Sequence, residues 1–296
     1  GYGTVSSTSV TAVPYGTKIS ASGGTLTIAK STAATVTATA TAQTAQYSYA
    51  FSKWTQSSTS GTQVTSTGFT VTGAITIYAN FTRTTRTYTV SFAVNNANYG
   101  VVSQASITGV PYNSAITVSG NTVKINGTTV TASLPTTGNY WSQFSNWSNT
   151  SNTITAARTI TANFTGKAAG LYSDASHTTL KTAWSSLVGN GVTVSDDAIT
   201  GSDYEVLNGY LVIPTSIIAI DEYAFDGCCD LLGVLMPDSM TSWGADAFYS
   251  CCAMTSVTIP AGITTISDYA FEECSALSSV TIHNKVTTIG IGAFMN

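Results

Sequence analysis

Charge is what this chain has least of, and its first half has no negative charge at all. Only 8% of the 296 residues are Asp, Glu, Lys or Arg, against about a quarter in an ordinary soluble protein. No Asp or Glu precedes Asp174. Residues 1–166 hold seven cations and no acid, while residues 167–296 hold three cations and all fourteen acids, so charges of +7 and −11 make up the net −4. Asymmetry of this kind marks separate domains. The cations of the first half are scattered from Lys18 to Arg158 and form no patch, which argues against nucleic acid as a partner.

Other absences bear on chemistry. The only histidines, His177 and His283, have no nucleophile at a recognisable spacing, and there is no nucleophile elbow, H-E-x-x-H, P-loop or dinucleotide fingerprint. No enzyme activity and no cofactor are expected. The most apolar run, Tyr210 to Ile220, is broken by Pro214 and falls well short of the ~20 residues of a membrane span. Acid positions drift between repeats, Asp221 aligning with Gly244 and Asp226 with Tyr249 and Glu272, so no calcium ladder can form, and Ser195-Asp196-Asp197 is expected to be a turn. The sequence opens on Gly1-Tyr2-Gly3 without a signal-peptide pattern and stops inside a repeat, so a fragment of a longer protein is expected.

What is present is Thr, Ser and Ala in unusual density, with 43% hydrophobic residues. Such a composition favours strands over helices. Residues 1–83 and 84–167 are two copies of one domain. Tyr2-Gly3-Thr4-Val5-Ser6 matches Tyr99-Gly100-Val101-Val102-Ser103, and Val13-Pro14-Tyr15 matches Val110-Pro111-Tyr112. Phe51-Ser52-Lys53-Trp54 matches Phe144-Ser145-Asn146-Trp147, and the closing Ala79-Asn80-Phe81-Thr82 matches Ala162-Asn163-Phe164-Thr165. Tyr88, Val90, Phe92 and Val94 alternate as a half-buried strand requires. Copy 1 lacks a counterpart of that strand, which would lie before Gly1; only a chain that began at Gly1 would be expected to have an unpaired edge there. Trp54 and Trp147, with Tyr49 and Tyr140 nearby, could stack on a carbohydrate. The favoured alternative makes each Trp the central core residue of a small β domain, where it buries a large area.

These copies resemble the internalin B-type (listerial and Bacteroides) repeat of bacterial surface proteins, through the Gly-x-Val-Ser start, the Val-Pro-Tyr turn, the Phe-Ser-x-Trp segment and the closing Ala-Asn-Phe. The resemblance implies a small β-grasp-like or sandwich-like module that spaces and displays other domains, with no catalytic set to carry over.

Beyond Lys167 the composition changes. Leu180, Ala183, Trp184, Leu187 and Val188 share one helical face, which predicts a helix over 179–188 capped by Ser176 or Thr178 and stopped at Gly189-Asn190-Gly191. Residues 168–206 are read as an N-terminal cap on residues 207–296, with Trp184 buried against the first of them.

Residues 207–296 repeat every 23 positions. Ala-Phe recurs at Ala224-Phe225, Ala247-Phe248, Ala270-Phe271 and Ala293-Phe294, and an apolar-Pro pair at Ile213-Pro214, Met236-Pro237 and Ile259-Pro260, with Ile282-His283 completing the series. Cys228, Cys251 and Cys274 keep the same spacing. A strict period of this length is the signature of a solenoid. Stacked coils would set Phe225, Phe248, Phe271 and Phe294 in one column and Cys228, Cys251 and Cys274 in another. The doubled Cys229 and Cys252 leave three possibilities open: five free thiols, one disulfide between them, or a metal site, which the absence of C-x₂-C spacing disfavours.

The repeat resembles the BspA-type (Treponema pallidum-type) leucine-rich repeat, through Ser-Val-Thr-Ile-Pro at 256–260, Ile-Thr-Thr-Ile-Ser-Asp-Tyr-Ala-Phe at 263–271 and Glu-Cys-Ser at 273–275. That resemblance implies a cell-surface or secreted protein, with adhesion or host-protein binding as its role. The expectation is therefore a mainly β, monomeric, non-enzymatic surface protein. Its β modules form a stalk and its capped solenoid binds a protein of host matrix or cell surface, with carbohydrate as the alternative ligand. Outward strand positions Leu235, Thr258 and Thr281 are the expected face.

Overall fold

The computed structural model describes residues 1–30 and 32–296, and within them the chain is mainly β with one four-residue helix. It divides into two compact units, Gly1–Val90 with Ile107–Ile116 and Ser151–Arg158, and Ser91–Ser106 with Thr117–Thr150 and Thr159–Asn296.

The two sequence copies adopt one topology. In the first, strands run in the order Gly3–Val5, Ala34–Ala40, Thr25–Ala29, Lys18–Ser22 and Phe69–Thr70. The second repeats this as Val101–Val102, Thr128–Ser133, Thr122–Ile125 and Ile116–Ser119. Each copy also has a long antiparallel pair, Tyr47–Gln56 with Ile77–Thr85 and Tyr140–Ser148 with Arg158–Ala168. Both pairs slip register at the same serine. Phe51 faces Phe81 and Lys53 faces Asn80, as Phe144 faces Phe164 and Asn146 faces Asn163. The bulge leaves Ser52 or Ser145 unpaired and turns the Trp two residues later into the core. Trp54 is 3% exposed and Trp147 7%, so both rings are buried. A glycine beneath the closing Phe is required in each copy, because a Cβ on Gly3 would meet the Phe81 ring and one on Gly100 the Phe164 ring.

The helix expected over 179–188 is a correction. It spans only Trp184–Leu187, with Ala183 as N-cap, and Leu180–Ala183 is a strand antiparallel to Gly170–Tyr172. Thr178, Thr179 and Thr182 are β-branched and stiff at χ1, and the edge of Gly170–Tyr172 offers this segment hydrogen bonds that a helix would forgo. Trp184 and Leu187 are buried, whereas Leu180, assigned to the same face, is exposed.

Gly170–Tyr172 also pairs with Gly209–Val212, which begins a parallel ladder with Leu231–Leu235. Ser256–Thr258 and Ser279–Thr281 pair likewise in the later coils. A second parallel ladder, absent from the sequence expectation, runs through Ala198–Ser202, Ala219–Ile220 and Ser242–Trp243, and through Thr265–Ile266 with Thr288–Ile289. One continuous apolar core fills the space between the ladders, from Ala169 to Ala293.

Candidate functional site

Each coil is built from the same parts. In the first three coils a short strand runs into a buried proline, where the last has His283. The carbonyls of Pro214, Pro237 and Pro260 then accept the amides of Ile217, Met240 and Ile263 (3.1, 3.0 and 3.0 Å), so the residue that cannot extend the ladder closes a turn instead. The Ala-Phe step follows and bonds coil to coil, Phe225 N to Ala247 O, Phe248 N to Ala270 O and Phe271 N to Ala293 O, each 2.9 Å. The Phe rings lie parallel at centroid distances of 5.1, 5.2 and 5.4 Å. Phe225, Phe248 and Phe271 are fully buried, while Phe294 on the last coil is 36% exposed. Trp243, where other coils carry Ile, stands edge-on to Phe248 and Phe271.

The Cys228, Cys251 and Cys274 column is buried. The Cys251 thiol donates to the Phe225 carbonyl (3.3 Å) and the Cys274 thiol to the Phe248 carbonyl (3.2 Å), and Cys228 Sγ lies 3.2 Å from Ser202 Oγ. Burial pushes the Cys228 thiol above its ordinary value. The shared hydrogen bond with Cys274, and then burial, push Cys251 up. The same hydrogen bond lowers the Cys274 thiol, and all three thiols are buried in the coil column. Cys229 and Cys252 form a disulfide between adjacent coils, with Cα atoms 4.8 Å apart. Among the described residues, no group of three or more His, Cys, Asp or Glu could hold a metal ion.

Every coil turns through two left-handed positions. Tyr223, Asp246, Tyr269 and Gly292 have φ of 60, 54, 56 and 62°. Gly227, Ser250, Glu273 and Asn296 follow at 72, 55, 59 and 64°. Six of the eight are not glycine, although L residues adopt this region at a cost. The turn edge is also acidic. Asp246 and then Glu222 raise the exposed Tyr223 phenol above its ordinary value.

Of the expected face residues, Thr258 and Thr281 are exposed and Leu235 is half-buried. Ser256 and Ser279 flank them on the same side, also exposed, while Val257 and Val280 turn inward between them. On the first two coils the equivalent side is closed, with Val212 0% exposed and Gly233 buried. Within this compact unit the strand Tyr140–Ser148 bonds to those coils. The Tyr140 carbonyl accepts Thr215 N and Oγ1 (3.0 and 3.2 Å). Trp141 Nε1 donates to Met236 O (3.2 Å), and Gln143 Nε2 donates to the Asp238 carboxylate (3.3 Å). His177 packs edge-on between Tyr172 and Tyr210, at 5.6 and 6.0 Å. Sequence reasoning missed this junction, and the available signal was Trp141, which stands where the first copy has Ser48.

No helix among the described residues is long and apolar enough to cross a membrane. No curated protein matches the chain. Among solved structures it is similar to a leucine-rich repeat protein of T. pallidum, at 29% identity over 29% of this chain and 43% of that one, with a TM-score of 0.27. It is also similar to a leucine rich cell surface protein of Faecalibacterium prausnitzii A2-165, at 30% identity over 35% of this chain and 28% of that one, with a TM-score of 0.33. The chain thus spans less than half the length of either. Residues 205–296 match, in six copies, the BspA type leucine rich repeat region, which supports a BspA-like leucine-rich repeat as the unit of this solenoid.

Proposed function

We propose that this chain is a non-enzymatic part of a bacterial surface or secreted protein, in which the solenoid binds a host or neighbouring-cell protein and the two β modules, 1–83 and 84–167, carry it. The observation that carries the reading is the ladder side of the later coils. Ser256, Thr258, Ser279 and Thr281 present exposed hydroxyls in register on a rigid parallel pair. Extended repeat surfaces of this kind suit a protein ligand better than a small molecule. The Cys229–Cys252 disulfide supports an oxidising location outside the cytosol.

The test is surface plasmon resonance of the full chain against a panel of purified extracellular-matrix proteins, beside a Thr258→Arg/Thr281→Arg variant. Binding that the double variant weakens at least tenfold, while Thr264→Arg on another side of the coil leaves it intact, supports the reading. Binding unchanged by the double variant removes this face from it. An empty panel favours a passive spacer.

A further inference from the structure

A tyrosine of the first β module is a serine in the second, and a pocket lies beside that serine. Tyr49 stands two residues before Phe51, and Ser142 two residues before Phe144. Those two phenylalanines hold the same place in the bulged pairs, Phe51 facing Phe81 and Phe144 facing Phe164. The Tyr49 ring packs on Tyr2 with centroids 5.5 Å apart, whereas Ser142 brings no ring. Beside Ser142 is a cavity of about 280 Å³, lined by Asn121, Leu134, Ser142, Gln143, Phe144 and Asp238 among others.

Ser142 is 2% exposed, yet its Oγ has no hydrogen-bond partner among the described residues. A buried hydroxyl in that state costs free energy, and the cavity it lines is where a partner can enter. The other polar groups of the lining are held in place. Asp238 accepts the Ala261 amide through Oδ1 (2.9 Å) and Gln143 Nε2 through Oδ2 (3.3 Å), and an ionised carboxylate has further lone pairs to offer. The Asn121 amide nitrogen donates to Ala132 O (2.8 Å), and its own carbonyl oxygen is a further acceptor. Phe144 and Leu134, both half-buried, supply an apolar wall.

The lining chemistry selects the occupant. It includes no Lys or Arg, so nothing there neutralises a phosphate or a carboxylate, and Asp238 repels one. Asp238 is also the one acid of the lining, too few oxygen ligands for a hard cation. We propose that the pocket binds one sugar ring. A neutral ring rich in hydroxyls can donate to Asp238 and Asn121, pair with the Ser142 hydroxyl, and lay its apolar face on Phe144 and Leu134. The volume lies just under the ~300 Å³ at which small-molecule pockets begin, which suits a single ring rather than a chain of them. The pocket is apart from Ser256, Thr258, Ser279 and Thr281, so its failure leaves the reading of that face untouched.

The test titrates the methyl glycosides of glucose, galactose, mannose and N-acetylglucosamine, each to about 20 mM, into the ¹⁵N-labelled full chain. Saturable shifts of the Ser142, Gln143 and Asp238 amides are expected with at least one sugar, while Thr258 and Thr281 stay unmoved. Ser142→Ala removes the hydroxyl and little packing, so the melting temperature should hold or rise while affinity falls roughly tenfold. Ser142→Tyr, which installs the residue of the first module, should abolish binding. Asp238→Asn, which keeps an acceptor for the Ala261 amide, should weaken it. No shift from any of the four sugars, an affinity unchanged by Ser142→Ala, or shifts confined to other residues overturns the proposal, and an ordered water alone then meets the Ser142 hydroxyl. Ammonium or inorganic phosphate moving the same amides in place of the sugars assigns a charged ligand and overturns it as well.

Discussion

Phe248 and Phe271 lie one coil apart with ring planes 3° from parallel and centroids 5.2 Å apart. That separation is set by the strand spacing of about 4.7–4.9 Å between coils, so the rings form a column that cannot relax along its axis. Phe248 has a ring above and a ring below and is fully buried. Phe248→Ala should cost ~3–5 kcal/mol and loosen the coils on both sides. Denaturant unfolding with hydrogen exchange checks this, and an unchanged midpoint would remove the column from the account of stability.

The Cys229–Cys252 bridge closes a loop of 23 residues. By chain entropy such a loop contributes about 3 kcal/mol, so mild reduction should lower the melting temperature without unfolding the buried Cys column. Thiol titration of the unfolded, unreduced protein should find three reactive groups, one each from Cys228, Cys251 and Cys274. Five would exclude the bridge.

The left-handed turn positions make opposite predictions at equivalent sites. Gly227 and Ser250 occupy the same place in neighbouring coils, at φ 72 and 55°. Gly227→Ala should destabilise by about 1 kcal/mol, whereas Ser250→Gly should be neutral or stabilising because it relieves the strain. Equal melting shifts of the same sign would show that the turns do not hold this strain.

His177 gives the junction a pH dependence. Burial first, and then the Lys167 cation, hold its imidazole below its ordinary value, so the folded state favours the neutral ring. A depressed folded value means that its contribution is present above the ordinary pKa of about 6.5 and is lost as pH falls through the folded value. Melting temperature should therefore decline below about pH 6.5, and His177→Asn, which tolerates the local φ of 53°, should flatten that decline. A profile unchanged by the substitution would assign the decline to other groups.

The repeat was the most legible part of the chain because its buried residues recur in one strict register, and Phe225, Cys228 and Ile213 are all 0% exposed. The strand Leu180–Ala183 was not legible, since its apolar spacing suits a helix and only its partner Gly170–Tyr172 selects the strand. The Trp141–Met236 bond joins residues 95 apart in sequence, and no local pattern encodes a contact of that span. Cys229 and Cys252 stood at a spacing compatible with several chemistries until the coils brought their Cα atoms to 4.8 Å.

The amide of each Ala-Phe step is answered by the carbonyl of the next coil, and every left-handed turn recurs at the same interval of 23 residues. A single-residue insertion inside a coil throws its ladders and turns out of step with both neighbours. Gain or loss of a whole coil leaves each of them in phase. The array is therefore brittle to small changes in length and tolerant of unequal recombination between its own repeats, so that copy number is the quantity free to vary among descendants of this sequence.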